Sequence, residues 1–206
     1  MRIAILVEGK TEKAFKPYLQ AFLKTRLEGK MPKLDFVPHD GRIPTRKKLR
    51  RVVERLLNDK KRGADAVIAL TDVYTGSEPP EFETADEAKT KMKEWVGDDD
   101  RFYPHVALHD FEAWLLPYWE KIRHLTGSNR RAPGSDPQKV DHGKPPAQHL
   151  ADAYRTGKKT QSYVKPRDAG RILKDEDLTV AIEACSELKA FVNTILQLCD
   201  ESEMIE

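Results

Sequence analysis

Glu8 and Glu12 stand four residues apart in Ile3-Ala4-Ile5-Leu6-Val7-Glu8-Gly9-Lys10-Thr11-Glu12, directly after an unbroken apolar run. Asp72 closes a second apolar run, Ala66-Val67-Ile68-Ala69-Leu70, and Asp110 and Glu112 follow a third, Tyr103-Pro104-His105-Val106-Ala107-Leu108. Parallel α/β sheets bind ligands at the carboxyl ends of their strands, so acids placed at several strand ends can converge on one crevice. An oxygen-only set without paired His or Cys favours a hard cation, Mg²⁺ or Mn²⁺, held by a few carboxylates together with water and substrate phosphate. The chemistry open to such a set is metal-assisted hydrolysis of a phosphodiester. If a helix begins near Gly9, the four-residue spacing puts Glu8 and Glu12 on one side of the backbone, and Gly9 is expected to allow a sharp turn there. Any one of these acids taken singly serves equally well as a helix cap or a solvated charge. Only their joint placement signals a site.

The elements that must position them follow from the hydrophobic pattern. Residues 2–7 are, after Arg2, aliphatic without polar alternation, as in a strand covered on both faces. Phe15, Tyr18, Leu19, Phe22, Leu23 and Leu27 recur at helical spacing from Thr11 to about Lys30. A short strand over 34–37, a helix from Thr45 to about Lys61, a strand over 66–70, a helix from Thr84 to Val96 and a strand over 103–108 complete an alternation that predicts a mostly parallel, Rossmannoid α/β sheet flanked by helices. A helix is expected over 110–125, with Pro117 kinking or restarting it. Glycines, prolines and charges fill 126–146 and predict a long surface loop. A mostly helical C-terminal extension follows. The organisation expected is a catalytic domain over 1–125 and, over 126–206, a long loop and helical extension packed on it.

Composition narrows the class. The chain has 206 residues, enough for one substantial core. Its 36 Lys and Arg against 34 Asp and Glu leave a formal charge of +2, so any basic footprint for nucleic acid must be local. The only cysteines, Cys185 and Cys199, lack zinc spacing and are expected to be reduced, as in a cytoplasmic protein. The five-residue apolar run that stops at Glu8 is too short for a signal peptide or a membrane span, so no membrane association is expected.

"LVEGKTE" resembles the first motif of Toprim (topoisomerase–primase) domains, and the overcoming-lysogenisation-defect (OLD) nucleases have a second glutamate at the same four-residue spacing. "ALTDVYT" is similar to the Asp-x-Asp motif of that fold, and "LHDFEAWLL" resembles the third acidic motif of a bacterial Toprim-like group, domain of unknown function 4276. The resemblance covers roughly residues 1–120. It implies a Toprim-like fold and a metal-dependent nuclease of DNA or RNA, with Glu8, Glu12, Asp72 and Glu112 catalytic and Glu8, Asp72, Asp110 and Glu112 on Mg²⁺ or Mn²⁺. It further implies Glu8 as general base and an AAA- or ABC-type ATPase partner in a phage-defence setting; a lysine completing the site would supply positive charge to the transition state, and the candidates are Lys10, close in sequence, and the later Lys165 in "SYVKPRDAG". One position departs from the motif: its second Asp is Tyr74 here, which weakens a second metal position and puts Tyr74 itself within reach of phosphate. The alternative class is a non-catalytic subunit that docks the ATPase, with Tyr74 as its sequence support. Homo-oligomerisation stays open.

Arg46-Lys47-Lys48-Leu49-Arg50-Arg51 is a basic run at a helix start. It reads either as a solvated helix face or as a seat for a phosphate backbone, joined by Lys10 near the acids. No aromatic residue is interleaved with it. His105 and His109 fall on a strand and its end; they read as structural histidines, with His109, beside Asp110, alternatively orienting that carboxylate or joining the site. Trp114 and Trp119 lie in an apolar helical stripe and read as core. Only one glycine precedes Lys10-Thr11, so the phosphate-loop pattern fails and an ATPase within the chain is not expected.

Overall fold

Strand β1, Arg2–Val7, has two apolar faces: Ile3, Ile5 and Val7 enter one core, and Ala4 and Leu6 enter another. A strand apolar at every inner position must be covered on both sides. The computed structural model shows the covering layers and describes residues 1–27, 29, 31–39, 41–73, 81–140, 143–158, 162–199 and 204–205. Helix α1 (Lys10–Arg26) leads to β2 (Lys33–Pro38), α2 (Arg46–Asn58) to β3 (Ala66–Asp72), and α3 (Ala85–Val96) to β4 (Phe102–Ala107). The four strands are parallel, in the order β2-β1-β3-β4. The α/β alternation expected from the apolar periodicity is the one observed.

That order creates a switch point. The chain leaves β1 through α1 to pair β2 on one side, and later returns as β3 on the other, so the crevice for a ligand lies at the carboxyl ends of β1 and β3. Helices α2 and α3 close one face through Leu49, Val53, Leu57, Ala88, Met92 and Val96. The other face is closed by α1 and by the C-terminal helices, whose buried residues share one core cluster with β1 and β3.

After β4 the expected helix over 110–125 is split. Phe111–Tyr118 is a 3₁₀ segment and Trp119–Thr126 forms α4. Pro117 has no N–H and its ring crowds the preceding turn, which suits the tighter winding before it and a fresh start after it. Phe111 and Trp114 of this segment meet Phe15 of α1 at ring-centroid distances of 5.6 and 5.7 Å. Both are buried, and truncating such an aromatic costs on the order of 3–5 kcal/mol. The acids that flank Phe111 therefore stand on a rigid base.

The remaining elements are α5 (Pro146–Thr156), α6 (Lys165–Leu173), α7 (Leu178–Ala184) and α8 (Ser186–Leu198). Among the described residues the stretch between α4 and α5 holds only one short 3₁₀ turn, Pro137–Lys139. Its base is tight, since a Cβ at Gly157 would fall 2.2 Å from the Thr126 carbonyl oxygen. Cys185 and Cys199 are both buried. No described helix is long and apolar enough to cross a membrane.

The edge strand β4 carries Pro104 in its middle. The Val67 N–H donates to the Arg101 carbonyl at 2.8 Å and the Val73 N–H to the Ala107 carbonyl at 3.1 Å, so the odd-numbered residues of this strand turn their backbone polar groups toward β3.

Candidate functional site

Glu8 leaves β1 and bends toward β3. The Thr71 hydroxyl and the Asp72 backbone N–H, the latter at 3.1 Å, both donate to Glu8 Oε1. Two adjacent strand ends are thereby tied through one carboxylate oxygen. Glu12 lies in the first turn of α1 and is buried. The glycine between them is not the sharp turn expected from sequence: Gly9 has φ of −152°, open to any residue, and an added Cβ would meet Glu12 Oε2 at an ordinary 3.5 Å.

Asp110 and Glu112 stand at the start of the 3₁₀ segment, both buried. Asp110 Oδ2 accepts from the Ala147 N–H at 3.1 Å, whereas its Oδ1 is buried without a hydrogen-bond partner. Glu112 accepts from the Tyr163 hydroxyl at 3.3 Å and from Lys165 Nζ at 3.2 Å. Glu8, Glu12, Asp72, Glu112, Lys165, Lys10 and Arg42 line one pocket of about 400 Å³. Asp110 lies close enough behind them for its charge to bear on Asp72.

The electrostatics follow from packing like charges out of water. Burial, then the charges of Glu8, Asp110, Glu12 and Glu112, push the Asp72 carboxyl well up. Burial and Glu112 raise Asp110 to about 7. Burial also raises Glu12, with Glu8 and Glu112 adding to it, and raises Glu8 against the opposing pull of Thr71, Asp72, Arg42 and Lys165. Lys165 loses some basicity to burial and regains more from Glu112, Asp110 and Asp72. Five carboxylates face three cations among the described residues, Lys165, Arg42 and the exposed Lys10, and Arg42 is itself paired with Glu81 at 2.6 Å, so the cluster gains from further positive charge or from protons.

The donor set fits a divalent cation: every candidate ligand is oxygen, the group is short of positive charge, and Asp110 Oδ1 is buried and unpartnered. Glu8, Asp72, Asp110 and Glu112 are the side chains that could hold it. Among the described residues no three His, Cys, Asp or Glu side chains already stand in a metal-holding arrangement. Lys165 instead draws Glu112 to itself.

Other residues singled out from sequence are placed apart. Lys10 is exposed at the pocket rim. Arg46, Lys47 and Lys48 are exposed on the first turn of α2 and line a different groove. Arg50 is paired with Glu54 at 2.8 Å, and Arg51 is exposed on α2. Tyr74 lies outside the described residues. His105 Nε2 meets Thr194 Oγ1 at 3.0 Å, and burial drives its pKa down to about 4. Neither it nor His109 lines the acidic pocket. Trp114 and Trp119 are core residues. Arg42, Thr71 and Tyr163 were not foreseen, because no local motif marks them and their roles arise only where separate segments meet.

The family model for Domain of unknown function (DUF4276) matches residues 7–196, from the end of β1 to the last turns of α8. The chain belongs to the DUF4276 family. No curated protein sequence matches it at a significant level. In structure, this DUF4276 chain is similar to the C-terminal region of the Burkholderia pseudomallei OLD protein, with 15% identity over 96% of this chain and 98% of that one and a TM-score of 0.57. The C-terminal region of the Xanthomonas campestris pv. campestris OLD protein is 17% identical over 96% of each chain, with a TM-score of 0.44. The Burkholderia likeness shows a shared fold.

Proposed function

We propose that this DUF4276 chain is a Toprim-like, Mg²⁺- or Mn²⁺-dependent nuclease that hydrolyses phosphodiester bonds of DNA or RNA. The observation that carries this reading is the convergence of Glu8, Glu12, Asp72 and Glu112 on one pocket at the switch point, with the buried Asp110 behind them. The motif resemblance to OLD nucleases supports the same reading.

When bound, a divalent cation supplies positive charge to the phosphodiester and makes water a stronger acid. Glu8, oriented by Thr71 and Asp72 and raised in pKa by burial, accepts the proton of the attacking water. Lys165 and Arg42 present positive charge to the non-bridging oxygens as negative charge grows there. Phe111 and Pro166 in the pocket wall restrict water. Lys165 comes from beyond residue 125, so the proposed site draws on both parts of the chain.

A free nuclease would damage its own cell, and we propose control by an AAA- or ABC-type ATPase in a cytoplasmic phage-defence system. The test is reconstitution of the chain alone and with an ATPase encoded beside it, in Mg²⁺ or Mn²⁺, on plasmid, single-stranded DNA and tRNA. Cleavage that is lost in Glu8→Gln and Glu112→Gln supports the reading. A second reading, a docking subunit without catalysis, draws on the Lys165–Glu112 pair, which neutralises one acid without metal. It gains if no preparation cuts at saturating metal while the ATPase still binds.

A further inference from the structure

The first turn of α2 and the last turn of α3 enclose a second groove of about 600 Å³, lined by Thr45, Arg46, Lys47, Lys48, Glu94 and Trp95. Taken alone, the basic run has the character of a solvated helix face. The fold changes that by bringing an indole to it from a distant helix. Trp95 is partly exposed, whereas Trp114 and Trp119 are buried. Arg46, Lys47 and Lys48 are exposed, and none forms an ion pair with another described residue, in contrast to Arg50 with Glu54.

Between this groove and the acidic pocket, which share no lining residue, stands the buried Phe82. Phe82 packs against Trp95 with ring centroids 5.9 Å apart, and the Arg42 guanidinium lies 5.7 Å from the Phe82 ring centre. Arg42 lines the acidic pocket with Glu8 and Asp72. Three cations beside a partly open aromatic surface complement a chain that alternates phosphates with flat bases. Only an unpaired strand offers its base faces, since a duplex hides them in the stack. Glu94 shares α3 with Trp95 and repels phosphate, which confines the backbone to the α2 side.

We infer that this groove binds an unpaired nucleic-acid strand, with Trp95 stacking on a base and Arg46, Lys47 and Lys48 holding the flanking phosphates. The strand then runs past Arg42 to the acids. Only this last step rests on the proposed nuclease reading, because binding in the groove requires no cleavage.

The test uses the full chain in EDTA with short oligothymidylate, oligouridylate and a blunt DNA duplex, followed by tryptophan fluorescence and by anisotropy of labelled strands. Both single strands are expected to quench the tryptophan signal and to bind more tightly than the duplex. Trp95→Leu keeps apolar bulk against Phe82 and is expected to weaken single-strand binding about tenfold without changing its salt dependence. Trp95→Phe retains most of the affinity. Lys47→Gln or Lys48→Gln is expected to reduce the logarithmic salt slope by about 0.7 each. Unchanged affinity in Trp95→Leu, or equal binding of duplex and single strand, overturns the inference; should the Leu variant not fold, the salt slopes and the strand preference decide it. Cleavage in Mn²⁺ separates the two readings. If Trp95→Leu loses binding and no preparation cuts, the groove stands and the nuclease reading falls; if wild type cuts and Trp95→Leu cuts with the same KM, the reverse holds.

Discussion

The Lys165 ammonium lies 3.1 Å from Glu112 Oε1, joining α6 to the segment that follows β4. The glutamate side chain is 1% exposed and the lysine 52%. A buried carboxylate thus leans on a cation that water still solvates. Lys165→Met keeps most of the apolar stem and strands the charge, and is expected to cost about 1–3 kcal/mol. Denaturation midpoints in metal-free buffer measure this, and saturating Mn²⁺ should recover part of the loss. An unchanged midpoint would mean that Glu112 is neutralised by something else.

Crowding at Asp72 makes the opposite prediction. Burial and the charges of Glu8, Asp110, Glu12 and Glu112 disfavour an ionised Asp72, and an amide is neutral without taking up a proton, so Asp72→Asn should raise the thermal midpoint in EDTA while abolishing the stabilisation that Mn²⁺ gives to wild type. Thermal scans with and without metal read both effects. A variant that is less stable in EDTA and still responds to Mn²⁺ contradicts the crowding argument.

Asp110 sets a pH dependence. Its folded pKa of about 7 stands above the ordinary 3.8, so between those values the folded protein holds a proton that the unfolded chain has lost. The stability this proton confers is complete below about pH 4, declines up to about pH 7, and is gone above it. Asp110→Asn does not titrate. Its midpoint relative to wild type in EDTA should therefore climb from pH 4 to pH 7 and then level off; a flat difference would show that Asp110 ionises normally.

Asp168 positions Lys165. It is fully buried and accepts from the Val164 N–H at 2.8 Å and from Arg167 Nε and Nη2 at 2.9 and 2.8 Å, which fixes the start of α6. Asp168→Ala removes these bonds and is expected to cost about 2–4 kcal/mol. In a double-mutant cycle with Lys165→Met the two losses should be less than additive. Full additivity would make Asp168 a local anchor unrelated to the site.

Where apolar runs are unbroken, as at residues 3–7 and 66–70, the parallel strands were legible, because burial on both faces leaves such a run. Glu8, Asp72 and Asp110 were legible for the same reason, since each stands at or just past the end of such a run, and Glu12 and Glu112 lie within four residues of them. Helix ends were less so: α1 stops at Arg26 rather than near Lys30, where no strong terminating residue stands. The 3₁₀ winding of 111–118 leaves no mark in the sequence, because its apolar residues repeat closely enough to suit an α-helix. Arg42 and Thr71 act across strand ends, and Trp95 reaches the basic run only through the packing of α3 on α2. Spacing along the chain carries no trace of such meetings.

Pro104 has a consequence for how molecules of this chain can associate. With the odd-numbered residues of β4 turned toward β3, residues 102, 104 and 106 present their backbone groups outward. The central one has no N–H. An incoming strand therefore meets a gap in the ladder at the middle of a six-residue edge, which blocks templated growth of the sheet into fibrils. Any lasting assembly that involves this side of the molecule must be made through helix surfaces rather than by strand addition.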